Sequence, residues 1–178
     1  MTVTLSGTPV LETERLILRA PVPQDLPTFA AFAVSERSVF VRSQALDEGQ
    51  VWRAFGHIIG HWVLRGFGQF VFADRTTGEA LGMAGPWFPA GWPEREIGWT
   101  VWAPGAEGKG LAFEAATAAR AHAFRDLGWR TAVSYIAPKY SRSIALARRL
   151  GAVQDDSAAA PGTDPCLVFR HPGPGEAP

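Results

Sequence analysis

Apolar positions along the chain follow two periods, and the switches between them set the expected elements. An apolar run at 16–19, after Thr13-Glu14-Arg15, predicts the first strand. Pro23-Gln24-Asp25-Leu26 opens a short helix, with Asp25 as its expected cap and Leu26, Phe29, Ala30 and Phe32 facing inward. A longer helical period starts at Asp47, where Val51, Phe55, Ile58, Ile59 and Trp62 share one face. Asp47 and Gln50 have capping-box spacing, and Gly66 is a natural stop. Runs at 69–73 and 80–85 predict two strands around a turn at 74–79, with a glycine, Gly78, where positive φ is needed. The prolines at 86, 89 and 93 predict a loop across 86–93.

A strand at 95–102 follows, then a long helix at about 108–127 ended by Gly128. Next come a strand at 131–136, a helix at 141–150 with Gly151 after it, and strands near Val153 and at 166–169. The order β-α-α-β-β-β-α-β-α-β-β is α+β in style, a mixed sheet with a hairpin meander followed by a βαβ unit. It lacks the strict alternation of a doubly wound fold.

Composition narrows the function classes. With 178 residues, 47% of them hydrophobic, the chain reads as one domain over 1–170. Residues 171–178 have nothing apolar to bury and are expected to be a disordered tail. Lys+Arg and Asp+Glu both number 17, which argues against general nucleic-acid binding and against a polybasic membrane anchor. No run approaches the ~18 apolar residues of a membrane span, and the first residues lack a secretory pattern. A single cysteine, Cys166, builds neither an intramolecular disulfide nor a thiolate cluster. The expected setting is cytoplasmic.

Chemistry concentrates at Glu107-Gly108-Lys109-Gly110-Leu111-Ala112, between a strand end and a long helix. Two glycines and a small residue allow tight backbone approach and leave N–H groups pointing outward at the positive end of a helix dipole, which suits a pyrophosphate. Lys109 adds a mobile charge. An ordinary glycine-rich helix entry is the alternative. A Walker loop is excluded, because Ala103 and Gly110 stand where glycine and Ser/Thr are required. A dinucleotide fingerprint also fails, since the following strand runs through Ile136-Ala137 into Pro138 without an acidic end.

The turn instead resembles the Gln/Arg-x-x-Gly-x-Gly/Ala signature of the GNAT (GCN5-related N-acetyltransferase) superfamily. Here it reads Glu107-x-x-Gly110-x-Ala112, with glutamate in the first position. Glu107 near phosphates is unfavourable unless it points away. Residues 11–19 resemble the opening strand of the subgroup that includes ribosomal-protein N-acetyltransferases, Glu96-Ile97-Gly98-Trp99 its fourth strand, and 143–151 its last helix. The resemblance spans about 9–170. It implies a mostly antiparallel sheet flanked by helices, splayed between the family's strands four and five to admit the pantetheine arm of acetyl-CoA.

By that resemblance Thr100, Val101 and Trp102 pair with the pantetheine, and Glu107, Gly108, Lys109, Gly110, Leu111 and Ala112 hold the pyrophosphate. The family's Asn-x-x-Ser is Tyr140-Ser141-Arg142-Ser143 here, so Ser143 matches and Tyr140 replaces the asparagine. Ser143 is alternatively a helix N-cap. The implied reaction moves an acetyl group from acetyl-CoA directly to a primary amine, on a small molecule or a peptide N-terminus.

Such attack needs a base. Glu96 is the candidate, since tryptophans on either side favour a desolvated carboxylate; a solvated or ion-paired glutamate is the alternative. The family's general-acid tyrosine falls at Ala147, leaving solvent, Tyr135 or Tyr140 to protonate the thiolate. Trp87, Phe88 and Trp92 border the acceptor cleft by resemblance, or cover a sheet edge or form a homodimer contact. His57 and His61 have i,i+4 spacing but no third metal ligand, and are expected on a solvated helix face. A non-catalytic CoA-binding module is the alternative function, motivated by Glu107, Tyr140 and Ala147.

Overall fold

The structure is a computed structural model that describes residues 5–41 and 46–175. Its strands are β1 (Leu11–Glu12), β2 (Leu16–Arg19), β3 (Phe70–Asp74), β4 (Ala80–Trp87), β5 (Glu96–Val101), β6 (Val133–Ile136), β7 (Val153–Gln154) and β8 (Leu167–Arg170). Its α-helices are α1 (Leu26–Ala33), α2 (Glu48–Arg65), α3 (Leu111–Arg125) and α4 (Ser141–Arg149). One sheet in the order β1-β2-β3-β4-β5-β6-β8-β7 collects every strand among the described residues. All its pairs are antiparallel except β5 with β6.

The period-2 runs explain the layering. Leu16, Leu18, Phe70 and Phe72 bury one face under Leu111, Ala115 and Ala119 of α3. Val71 and Ala80 join Phe29 and Phe32 of α1 and Val51, Phe55 and Ile58 of α2, with Trp102, in a second core. Small residues on α3 let it lie close to the strands. α2 is capped as its sequence predicts: Asp47 Oδ1 accepts from the Gln50 amide at 2.7 Å, and Gln50 Oε1 from the Asp47 amide at 2.9 Å.

Four details depart from expectation. A short β1 precedes the first expected strand. Asp25 is 2% exposed and is an ion-pair anchor: its carboxylate accepts from the Val22 amide at 2.9 Å and from both terminal nitrogens of Arg19 at 2.8 Å. β4 runs on through Pro86 and Trp87, because the register with β5 continues to Trp87 opposite Glu96. The loop therefore starts at Phe88. The long helix begins at Leu111, after a 3₁₀ turn at Pro104–Ala106.

Candidate active site

β5 and β6 are laddered at one Cα pair only, Glu96 with Val133, and part beyond it. A side-chain relay holds the root of the parting. Ser134 Oγ donates to the Ile97 carbonyl at 2.6 Å. A hydroxyl has one hydrogen, so Ser134 accepts from His171 Nε2 at 2.9 Å, and His171 Nδ1 accepts from Arg120 Nη1 at 3.4 Å. Arg120 also donates to the Leu150 carbonyl beyond α4. Burial, with the Arg120 charge added, pushes the His171 imidazole down to about 3. His171, expected in the tail, is 2% exposed and its amide donates to the Ala132 carbonyl at 2.9 Å.

Alternation along β5 decides which backbone groups face the gap. The Arg95 and Ile97 carbonyls point toward β6, whereas the Trp102 amide donates to Leu81 beside β4 at 2.8 Å. Trp99 and Val101 therefore present backbone to the gap, and Thr100 and Trp102 turn theirs toward β4. Of the expected Thr100, Val101 and Trp102, only Val101 has that orientation. Trp99 shares it and was missed, since only the register that turns the Ile97 carbonyl toward β6 sets the phase of the alternation. The Trp102 ring is 1% exposed and its Nε1 donates to Thr100 Oγ1 at 3.0 Å.

The turn before α3 carries Gly108 at φ +72° and Gly110 at φ +77°, the latter as N-cap. These are left-handed conformations that a side chain would strain. No side chain caps α3, so its first N–H groups, including those of Leu111 and Ala112, have no capping partner. Gly108 and Lys109 are exposed, while the Leu111 side chain is buried. Glu107 points away from the turn: its carboxylate pairs with Arg37, with Nε at 2.7 Å, and with Arg142 Nη1 at 2.9 Å. Burial alone would raise its titration, but the two guanidinium groups outweigh that and hold it below the ordinary range. Arg37, missed in the sequence, also donates to the Trp102 carbonyl at 2.6 Å and the Val101 carbonyl at 3.0 Å.

A cleft of about 1170 Å³ opens along the parting. Glu96, Thr100, Tyr135, Tyr140 and Ser143 line it together; Val101, Trp102 and 107–112 do not. Glu96 Oε2 accepts from Trp92 Nε1 at 2.7 Å, and no arginine or lysine pairs with it among the described residues. Burial drives its carboxyl up to about 7, against the opposing hydrogen bonds from Trp92 and the Tyr135 amide. The Tyr135 hydroxyl accepts from the Glu94 amide at 3.2 Å and is pushed up to about 12, chiefly by burial. Burial also raises the Tyr140 hydroxyl. Ser143 sits one turn inside α4 and makes no capping bond, so the N-cap role is not taken.

His61 corrects another expectation. It is 2% exposed, stacked on Trp87 at 4.3 Å between centroids, with Nδ1 2.8 Å from the Phe67 carbonyl and Nε2 accepting from the Phe88 amide at 2.9 Å. One donor and one acceptor define a neutral ring, and burial lowers its pKa accordingly. His57 is exposed and meets Trp87 edge-on at 5.0 Å. Among the described residues no three His, Cys, Asp or Glu side chains gather as a metal site, and no helix is long and apolar enough to cross a membrane. Cys166 lines the cleft half-buried, and burial raises its thiol.

A sheet parted at one parallel pair and a glycine-rich turn leading into α3 go with a match to a family model, and together they place the chain among N-acetyltransferases. The chain belongs to the GNAT acetyltransferase family, whose domain model matches residues 15–153. An acetyltransferase from Agrobacterium tumefaciens is 36% identical, with a TM-score of 0.86 over 96% of this chain and 98% of that one. A GNAT-family acetyltransferase from Bordetella pertussis is 29% identical, TM-score 0.70, over 92% and 99%. A ribosomal-protein alpha-N-acetyltransferase in complex with coenzyme A shares the fold at 15% identity, TM-score 0.72, over 94% and 100%.

Proposed function

We propose that the protein transfers an acetyl group from acetyl-CoA directly to a primary amine within a ternary complex. The observation that carries this is Glu96, a carboxyl at about 7 beside the parted strands. A base with that pKa is half ionised at neutral pH and can take the one proton that a neutral amine loses as it attacks. Acetyl-CoA fits in two places. The gap-facing amides of Trp99 and Val101 and the Trp99 carbonyl suit the pantetheine amides, and the uncapped first turn of α3 suits the pyrophosphate. Glu107, held by Arg37 and Arg142, leaves that turn to its backbone donors and Lys109.

In the transfer the amine nitrogen bonds to the thioester carbon while the carbon–sulfur bond breaks. Glu96 takes the proton that nitrogen loses. A backbone N–H of β5 meets the charge that develops on the thioester oxygen. Tyr135 stays protonated at neutral pH; its oxygen is engaged by the Glu94 amide, and its own proton is available for the departing thiolate.

Thermal unfolding with and without acetyl-CoA, and thiol release across a panel of amines and peptides, test this. Saturation at about a hundred times Kd stabilises by about 2.7 kcal/mol, or roughly 5–10 °C for a domain of this size. No stabilisation overturns the co-substrate. Stabilisation without thiol release from any acceptor leaves a CoA-binding module and overturns catalysis.

A further inference from the structure

Gln69 is 6% exposed and lines the cleft; its side-chain amide makes no hydrogen bond among the described residues, and its polar atoms open onto the cleft rather than being sealed in the protein. Its backbone is fixed, because the Gln69 carbonyl accepts from Trp62 Nε1 at 3.1 Å. The amide lies against Gly98: a Cβ there would overlap Gln69 Nε2 and come within 3.3 Å of Glu96 Oε1. A glycine at 98 thus leaves the Gln69 amide and the Glu96 carboxyl side by side on the cleft floor. An amide that opens onto the cleft with no protein partner is free to hydrogen-bond a ligand seated there.

The walls above that point are apolar and preformed. Ile58, Met83, Trp87, Pro89 and Trp92 line the cleft, with Trp87 locked by its stack on His61 and Trp92 by its bond to Glu96. The acidic groups of the described lining are Glu96, half neutral near pH 7, and the exposed Asp164, which has the basic Lys139 in the same lining. A second ammonium on an acceptor would meet tryptophan and methionine there without a buried carboxylate to pair with.

We infer that the acceptor is a primary amine carried on an uncharged apolar or aromatic body, seated by the Gln69 amide beside Glu96. This rests on the transfer proposed above and names its substrate class. Gln69 is a specificity-determining residue: its side-chain amide hydrogen-bonds the acceptor beside Glu96, and the aromatic walls receive the body behind it.

The test compares 2-phenylethylamine with 1,4-diaminobutane as acceptors for the native protein, then repeats the first amine with Gln69→Met, which keeps volume but loses the amide. The aromatic amine is expected to have at least ~10-fold higher kcat/KM than the diamine. Gln69→Met is expected to lower kcat/KM for the amine by ~10-fold or more, with KM for acetyl-CoA and its thermal stabilisation unchanged. Equal or better turnover of the diamine overturns the acceptor class and leaves acetyl transfer standing. Unchanged amine kinetics in Gln69→Met overturn the seat. No thiol release with any amine overturns the transfer itself and this assignment with it.

Discussion

Glu96→Gln is expected to make the protein more stable and less active, with both effects tied to pH. The folded carboxyl titrates near 7 against an ordinary 4.5. Between those values the folded state binds a proton that the unfolded chain has released, so this group's stability is fully present below 4.5 and is lost as pH rises through 7. At about 1.4 kcal/mol per pKa unit the loss amounts to about 3 kcal/mol at pH 8. Glutamine keeps an oxygen for Trp92 Nε1 but never ionises, so it escapes that loss. Urea unfolding of both proteins at pH 4, 6 and 8 measures the difference. The stability gained by the variant should grow by about 3 kcal/mol from pH 4 to pH 8, roughly 6–12 °C in Tm. Thiol release should fall by about 10²–10⁴-fold, and native kcat/KM should rise with pH through about 7. A stability difference that is the same at pH 4 and pH 8 would refute the buried-carboxyl reasoning, and full activity would remove Glu96 as the base.

His171 runs in the opposite sense. Its imidazole resists protonation until about 3 while the unfolded one charges below 6.5, so stability falls as pH drops, by about 2 kcal/mol at pH 5; His171→Gln should flatten that dependence in urea titrations. Gly110→Ala imposes φ +77° on a residue with a side chain, which should cost about 1–2 kcal/mol and raise KM for acetyl-CoA while amine KM holds. Ser134→Ala removes the tie to the Ile97 carbonyl and should raise KM for acetyl-CoA several-fold, with a stability loss of about 1 kcal/mol; Ser134→Thr should restore the KM.

Elements set by local chemistry were readable in the chain. The Asp47–Gln50 box, the Gly66 stop and the turn at Gly108 and Gly110 each depend on residues a few positions apart, and the structure forms them. What depended on distant partners was not. His61 reads as a polar residue on a helix surface until Phe67, Trp87 and Phe88 fold over it. His171 follows the last strand in a proline-rich stretch, and only the approach of Ser134 and Arg120 shows why it is buried. Pro86 suggested a break, yet β4 tolerates it in its pairing with β5. The gathering of Glu96, Thr100, Tyr135, Tyr140 and Ser143 in one cleft followed from matching the order of elements to a known fold. The opposite facing of Thr100 and Val101 required the register of β5, which no short motif specifies.

Where β5 leaves β6, the middle of the sheet acquires a free edge. A row of strand donors and acceptors without a neighbouring strand is a template for pairing with any extended chain. Exposed edges are commonly blunted by a cation, and Arg37 occupies that role from within, its fork on the Val101 and Trp102 carbonyls and its charge balanced by Glu107. The Val101 carbonyl thereby already accepts a charged hydrogen bond, so a strand arriving there would have to share it. Arg37 thus places a paired positive charge on the exposed edge of the parted sheet, the kind of feature that discourages edge-to-edge pairing of strands.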